Sequence, residues 1–405
     1  MEVIILAGGL GTRLRSVVSD VPKCMAPVDG KPFLWYLLEH LRLFNVTHVI
    51  LSVGYLRESV QDWVERHKGD YPFRFSFAVE EEPLGTGGGI ALASSMVHGR
   101  EAVVLNGDTF FDADLDELLE LRRSSGRPVA LALKKMRSFD RYGTVELSSE
   151  GLVTGFREKQ YCAEGLINGG VYALDLEAGV FDGLEGKFSF ERDVLEPFCA
   201  KGLICGSEQS GYFLDIGIPA DYSRAVERPS LLHHPCDLLE IVQMAEGFET
   251  LLLDRDGVIN RLHPGDYIKE PGEFEWLPGV KEALWEAAGK FRGIYIVSNQ
   301  RGVGRGIMSR AALDSLHSWM LGEIAAAGGR IDGLYICTAV SEDDPRRKPQ
   351  TGMFEDLMRD HPGIDPDKTL MVGDSPSDRL FARRCGIAFY MVRDCSAMAL
   401  AAAMA

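Results

Sequence analysis

Short apolar runs that end in glycine or an acid alternate with amphipathic stretches of helical period, and this alternation occurs twice along the chain. The first series is EVIILA at 2–7, a helix opened by Pro32, THVILSV at 47–53, a helix over 56–67, FRFSFAV at 73–79, and a strand from Glu101 that runs into Asn106-Gly107-Asp108. Such alternation demands a largely parallel sheet with helices on both faces. Ligands of such sheets sit at the carboxyl ends of the strands, where the glycines and acids fall. Near 225–248 the pattern breaks into RPSLLHHPCDLLEIVQMAEG, with two prolines and the pair His233-His234. A second series then starts: TLLLDRDG at 250–257, a helix after Pro278, GIYIVSNQ at 293–300, a helix over 309–327, GLYICT at 333–338, a helix after Thr351, TLMVGDS at 369–375, and IAFYMV at 387–392. We expect two Rossmann-like, three-layer α/β/α domains, over 1–227 and 248–395. The stretch 228–247 reads as a linker with one helix, and 396–405 as a low-complexity tail.

The chain carries 43 basic and 60 acidic side chains, net −17. That balance argues against coating nucleic acid or an anionic membrane, but not against small anions bound locally. No apolar run is long enough for a transmembrane helix. The start lacks the basic region of a signal peptide. Eight cysteines without C-x-x-C spacing read as reduced thiols. The expectation is a cytoplasmic enzyme whose partners are small molecules, not nucleic acid or membrane. A homo-oligomer is compatible with the sequence.

Leu6-Ala7-Gly8-Gly9-Leu10-Gly11-Thr12-Arg13 follows the first strand. Its glycines let backbone N–H groups approach a phosphate, and Arg13 and Lys23 add cations. Leu14 stands where a dinucleotide fingerprint needs its third glycine, and no Gly-Lys-Ser/Thr follows. Taken alone, the loop reads equally as a tight βα turn. Asp108 closes an apolar strand, and Asp215 is flanked by apolar residues. Two such acids beside a phosphate loop suggest a Mg²⁺ site.

The motifs L-A-G-G-x-G-T-R-L, P-K, E-P-L-G-T-G-G, N-G-D, F-x-E-K, I-N-G-G-V-Y and D-I-G occur in that order across about residues 1–225. Together they resemble the sugar-1-phosphate nucleotidyltransferases. The resemblance implies attack of a sugar 1-phosphate oxygen on the α-phosphorus of a nucleoside triphosphate. It implies that Gly8, Gly9, Gly11, Thr12 and Arg13 cradle the triphosphate and that Lys23 neutralises the α-phosphate. Gly85, Thr86 and Gly87 would line the base pocket, and Asp108 and Asp215 would hold Mg²⁺. Glu158, Asn168 and the adjoining Gly169 would contact the sugar, and Lys159 its phosphate. Gln160 stands where the family often has proline. Glu80, Glu81 and Glu82 read equally as a solvated acidic turn or as base recognition.

In the second series, Asp254-Arg255-Asp256 ends a buried strand. Alternate residues leave a strand on one side, so both carboxylates can face one ligand. Ser298, Asn299, Arg347, Lys348, Asp374 and Asp378 follow. A hydroxyl, a lysine and further acids at strand ends suit phosphoryl transfer to an aspartate. Over about 249–392 this set resembles the haloacid dehalogenase superfamily of phosphatases. The resemblance implies Asp254 as nucleophile and Asp256 as acid/base, with Ser298 and Lys348 on the phosphoryl group. It implies Asp254, Asp374 and the Asp256 carbonyl on Mg²⁺, and Asp378 orienting Lys348 or a metal-bound water. The short span after Ile259 leaves no room for a large cap.

D-R-D-G-V-I-N, L-P-G-V, S-N-Q-x-G-V-G-R-G and R-K-P-x-x-G-M are similar to the heptose-1,7-bisphosphate 7-phosphatases, which places Arg347 on substrate. Those enzymes carry a Cys/His zinc loop before R-K-P; here Cys337 has no histidine near it, so no structural zinc is expected. Ser375 stands where they tend to have lysine. The first half is most like the heptose and mannose 1-phosphate guanylyltransferases. Consecutive reactions then follow: loss of the 7-phosphate, and GMP transfer from GTP to heptose 1-phosphate, in a route to surface polysaccharide. The alternatives are another sugar and base fused to a different phosphatase, such as the histidinol-phosphate type, or a binding protein with an inert first half. Intact Arg13, Lys23, Asp108 and Asp215 speak against the last.

Overall fold

The computed structural model describes residues 1–9, 14, 17–18, 20–232, 237–263 and 266–392. The chain divides into two compact units, residues 1–233 and 234–405.

In the first unit, β1 (Glu2–Leu6) is central. It pairs in parallel with β2 (His48–Val53) on one side and β4 (Glu101–Asn106) on the other, and β3 (Arg74–Val79) extends the sheet beyond β2. Three helices cross over these strands: α1 (Phe33–Leu41), α2 (Arg57–His67) and α3 (Gly85–Ser94). Pro32 precedes α1, where a fixed φ and a missing N–H cost nothing. After the short β5 (Thr109–Phe111) comes α4 (Leu115–Ser125). Asp114 caps it by accepting the Glu117 N–H at 2.9 Å, and Gly126 ends it at φ +64°.

Beyond β4 the expectation of a mainly parallel sheet fails. β6 (Val129–Phe139), β7 (Thr144–Leu147), β8 (Val153–Phe156) and β9 (Cys162–Asp175) have no helix between them, so they meander, and β9 returns antiparallel to β4. Among the described residues the sheet has nine strands, ordered β8-β7-β9-β4-β1-β2-β3. β6 pairs with β9, and β10 (Ile204–Gln209) with β6. β11 (Phe213–Asp215) pairs with β5 and leads into α5 (Pro219–Glu227).

The second unit begins with α6 (Leu238–Met244), inside the stretch read as linker. Leu238, Ile241 and Val242 are buried in the core of this unit, each worth roughly 1.5–3 kcal/mol. Their i, i+3, i+4 spacing is a helical stripe, so the segment belongs to this fold. Among the described residues five parallel strands follow in the order β14-β13-β12-β15-β16: β12 (Thr250–Leu253), β13 (Gly293–Asn299), β14 (Gly333–Cys337), β15 (Thr369–Gly373) and β16 (Ala388–Met391). Their helices are α7 (Val280–Lys290), α8 (Arg310–Ala326), α9 (Gly352–Asp360) and α10 (Pro376–Cys385). Strand alternation makes the three layers. Leu251, Leu253, Ile294 and Ile296 pack into one apolar cluster, while Leu252, Tyr295 and Val297 pack into another. Cys24, Cys162, Cys199, Cys205, Cys337 and Cys385 are free thiols. No helix among the described residues is long and apolar enough to cross a membrane.

Candidate active sites

The first site forms where β1 and β4 end side by side. The Gly107 N–H donates to the Leu6 carbonyl at 3.0 Å, and a Cβ at Gly107 would lie 2.3 Å from that oxygen. Only glycine lets the two strand ends meet. They open into a cavity of about 670 Å³ lined by Gly8, Gly9, Lys23, Gly85, Thr86, Asp108, Lys159, Asn168, Gly169 and Asp215. Gly11, Thr12 and Arg13 lie outside the described residues.

Lys23 Nζ donates to Asp108 Oδ2 at 2.8 Å. Antiparallel pairing of β11 with β5 puts Asp215 opposite Thr109, beside Asp108. Burial raises the Asp215 carboxyl above its usual range, and the Asp108 charge adds to this, although the Gly217 N–H donates to it at 2.7 Å.

Two glycines expected at the base pocket have separate tasks. Gly85 lines the cavity at φ +73°. Gly87 does not line it; a Cβ there would lie 2.3 Å from the Phe188 ring, and its N–H donates to the Phe188 carbonyl at 3.0 Å. Thr86 Oγ1 donates to Glu191 at 2.9 Å and accepts the Phe190 N–H at 2.9 Å. The start of α3 is thus fastened to 188–191. Asn168 is held on both sides, donating to the Tyr172 hydroxyl and accepting the Gly170 N–H, each at 3.0 Å. Glu158 is exposed and does not line the cavity.

Sequence reasoning missed Arg141, Tyr142, Lys187 and Glu191 in the lining. Tyr142 hydrogen bonds with Asp215, and Arg141 with Asp221 at 2.7 Å. No motif marks them, because the β6–β7 turn reaches the cavity only through the antiparallel return. Of the acidic turn, Glu80 lines the cavity. It accepts from Ser52 Oγ at 2.8 Å and from the Leu84 N–H at 3.0 Å, which makes it a strut under the loop.

The second site lies at the carboxyl ends of β12, β13 and β15, in a cavity of about 770 Å³. Asp254, Asp256, Ser298, Asn299, Arg347, Lys348 and Asp374 line it, with Arg301, Arg305 and His263. Lys348, almost fully buried, lies 3.0 Å from Asp254 and 2.5 Å from Asp378. Burial opposes its charge, but the two carboxylates overrule this and raise its pKa. Asn299 exchanges two 3.0 Å hydrogen bonds with the Lys348 backbone and so fixes where the lysine enters.

Burial pushes Asp254 up to about 6, against the pull of Lys348. It lifts Asp374 well above the carboxylate range, with Asp378 and Asp254 adding to the effect. Asp256 behaves differently. Burial opposes its charge, but Arg255, Asn260 and Gln300 hold it below the usual range. Fully buried Arg255 donates to both of its oxygens, at 2.8 and 3.0 Å, and Gln300 Nε2 donates at 2.8 Å.

A nucleotidyl transferase family model matches residues 2–229. The chain belongs to that family. A D-glycero-alpha-D-manno-heptose 1-phosphate guanylyltransferase from Aneurinibacillus thermoaerophilus is 45% identical over 226 residues, 56% of this chain and 96% of the relative. The structure of HddC from Yersinia pseudotuberculosis complexed with GMP-PN is 37% identical, with a TM-score of 0.51, and covers 56% of this chain and 98% of that one. A HAD-hydrolase-like family model matches residues 345–400. The structure of a D,D-heptose 1,7-bisphosphate phosphatase from B. bronchiseptica, complexed with magnesium and phosphate, is 29% identical. It covers 38% of this chain and 87% of that one, with a TM-score of 0.34.

This nucleotidyl transferase has the donor chemistry for a hard divalent cation in both units. Asp108 and Asp215 are adjacent, and burial together with the Asp108 charge outweighs the pull of Lys23 on the Asp215 carboxyl. Oxygens of Asp254, Asp374 and Asp378 lie within 4.8 Å of one another. Asp378 is fully buried and does not line the cavity, whereas Asp254 and Asp374 do. Asp254 and Asp374 are therefore the better ligand pair. A carboxylate-only set suits Mg²⁺.

Proposed function

We propose that the chain is a bifunctional enzyme of nucleotide-activated heptose synthesis. The second unit removes the 7-phosphate of D-glycero-D-manno-heptose 1,7-bisphosphate. The first unit transfers GMP from GTP to the resulting 1-phosphate, giving GDP-heptose and pyrophosphate. The observation that carries the reading is the Lys348 bridge between Asp254 and Asp378 on the same chain as a nucleotidyl transferase cavity. One removes a phosphate from a sugar phosphate, and the other consumes a sugar 1-phosphate. The 45% identity of the first half to a heptose 1-phosphate guanylyltransferase supports the choice of sugar and base. As GTP is an intracellular substrate, we assign the enzyme to the cytoplasm.

In the first unit the sugar phosphate oxygen attacks the α-phosphorus of GTP and pyrophosphate leaves. Lys23 and Arg13 neutralise charge on the phosphates, while Asn168 and Lys159 hold the sugar phosphate in line. The rate comes from alignment and fixed charge, with no covalent step. In the second unit an Asp254 oxygen attacks the 7-phosphorus, and the bond to the sugar oxygen breaks as Asp256, protonated once the negative phosphate of the substrate lies beside it, gives its proton to that oxygen. Asp256 then takes a proton from water, which attacks the aspartyl phosphate and frees Asp254. Ser298 and Lys348 hold the phosphoryl oxygens. Mg²⁺, held by Asp108 and Asp215 in one site and by Asp254 and Asp374 in the other, would supply charge neutralisation.

Incubating the full chain with heptose 1,7-bisphosphate and each triphosphate in turn tests the reading. It requires phosphate release with any triphosphate, and nucleotide-sugar with GTP. Asp254→Asn should abolish phosphate release yet still turn over heptose 1-phosphate with GTP. Preferential turnover with UTP or CTP, or with a phosphate ester other than the bisphosphate, would overturn it.

A further inference from the structure

At the end of the first sheet opposite the cavity, the starts of β1 and β2 and the turn before β4 bring Glu2, His48 and His98 together. Glu2 Oε1 lies 2.9 Å from His48 Nδ1 and 3.3 Å from His98 Nδ1. The two imidazole centroids are 5.7 Å apart. At about 3.3 Å of rise per residue, β1 separates this cluster from the glycine loop by roughly 15 Å. Neither catalytic proposal uses any of the three residues.

We propose that Glu2, His48 and His98 form a binding site for a zinc-like divalent transition-metal ion. Its ligands are Glu2 Oε1, His48 Nδ1 and His98 Nδ1, with water in the fourth position. Each donor is already aimed. Glu2 Oε2 accepts the N–H groups of His98 and Gly99 at 2.9 and 2.7 Å, which turns Oε1 towards the rings. His48 Nε2 lies 2.8 Å from Ser76 Oγ, the kind of outer partner that fixes a ligating imidazole's tautomer and orientation. Arg74 Nη2 donates to His98 Nδ1 at 3.1 Å, so that nitrogen is the unprotonated one and its lone pair, held by Arg74, becomes available to an ion when Arg74 turns away.

The spacing also fits. Ligand bonds of about 2.0–2.1 Å in tetrahedral geometry place neighbouring donors about 3.3 Å apart, close to the separations from Glu2. Two imidazoles and a carboxylate favour zinc, nickel or copper over Mg²⁺. The approach is open, with the side chains of His98 and Arg74 67% and 58% exposed. Arg74, 3.8 Å from Glu2, must turn out to solvent as the ion enters. Bound there, the ion ties two strand starts to the turn before a third. The reading that no structural zinc is expected came from motifs local in sequence, whereas these ligands lie 46 and 96 positions from Glu2.

The test is a ZnCl₂ titration of the full chain against a chromophoric chelator near neutral pH, in excess Mg²⁺ to fill the carboxylate sites. The expected result is one equivalent whose affinity falls about 100-fold or more in His98→Ala. His98 is an exposed residue outside both active sites, so Mg²⁺-supported pyrophosphate release should be unchanged. Co²⁺ in place of zinc should give visible absorption bands that His98→Ala abolishes. Zinc affinity and stoichiometry identical in the two proteins, or Co²⁺ spectra that do not differ, would show that the three side chains are only a hydrogen-bonded cluster.

Discussion

Lys348 Nζ stands between two carboxylates, 3.0 Å from Asp254 and 2.5 Å from Asp378, and donates to the Val297 carbonyl at 2.7 Å. A cation this buried holds two acids that would otherwise repel each other in a poorly solvated site. Lys348→Met should therefore destabilise the second unit by about 3–5 kcal/mol, beyond abolishing phosphate release. Denaturant unfolding near pH 7.5 measures the loss. It should shrink below about pH 6, where Asp254 takes up a proton and no longer needs the cation. A loss that does not change with pH would mean that packing, not charge, is what the lysine supplies.

The Lys23–Asp108 pair makes a different prediction. Lys23 is partly accessible, so its removal costs the fold little. Its charge is needed most as negative charge develops at the α-phosphate. Lys23→Ala should lower kcat for pyrophosphate release about 10²- to 10³-fold, the scale for losing one fixed electrostatic contact in a transition state. KM for GTP should change much less. Steady-state kinetics that instead put the effect in KM would make Lys23 a ground-state binding residue.

Gly87 tests whether the start of α3 must dock closely on 188–191. An alanine methyl would lie 2.3 Å from the Phe188 ring and 3.0 Å from the Phe190 nitrogen. Overpacking of this kind costs about 1–3 kcal/mol. Because Gly85 and Thr86 line the cavity, Gly87→Ala should also raise KM for the triphosphate while phosphate release from the second unit continues at its normal rate. Thermal melting and the two assays run in parallel separate these effects.

His317 gives a pH prediction for stability. Its Nε2 accepts from Arg255 Nη1 at 3.0 Å, and burial, then the Arg255 charge, push its pKa from 6.5 down to about 4. The unfolded chain binds this proton more readily, so the contribution is complete above about pH 6.5 and is lost as pH falls towards 4. The loss amounts to roughly 3 kcal/mol. His317→Gln keeps an acceptor for Arg255 and cannot titrate. Its unfolding free energy, compared with the parent at pH 7.5 and 4.5, should fall less on acidification by about that amount.

Much of the lining of both cavities was legible because glycines, lysines and acids at strand ends leave local marks. Gly8, Gly9, Lys23, Asp108 and Asp215 line one cavity, and Asp254, Ser298, Lys348 and Asp374 the other. What escaped was non-local. Arg141 and Tyr142 arrive on an antiparallel return that no residue pattern announces. Arg255 reads as a spacer between two acids, yet it is fully buried and grips Asp256. The segment 238–244 read as linker because its helix is short and follows two prolines; its apolar stripe counts only once α7 is there to cover it.

By itself the sequence determined the two α/β series, the glycine loop, the acids at the strand ends and the nucleotidyl transferase family of the first half. Each of these is written within one strand and the turn after it, where side-chain period and backbone freedom decide the outcome. Tertiary structure alone decided where the parallel sheet gives way to an antiparallel one, which acid Lys348 shares with Asp254, and that Glu2, His48 and His98 meet. Those outcomes depend on how strands far apart in the chain align their ends. Strand register sets that alignment, and register is fixed by burial across the whole sheet.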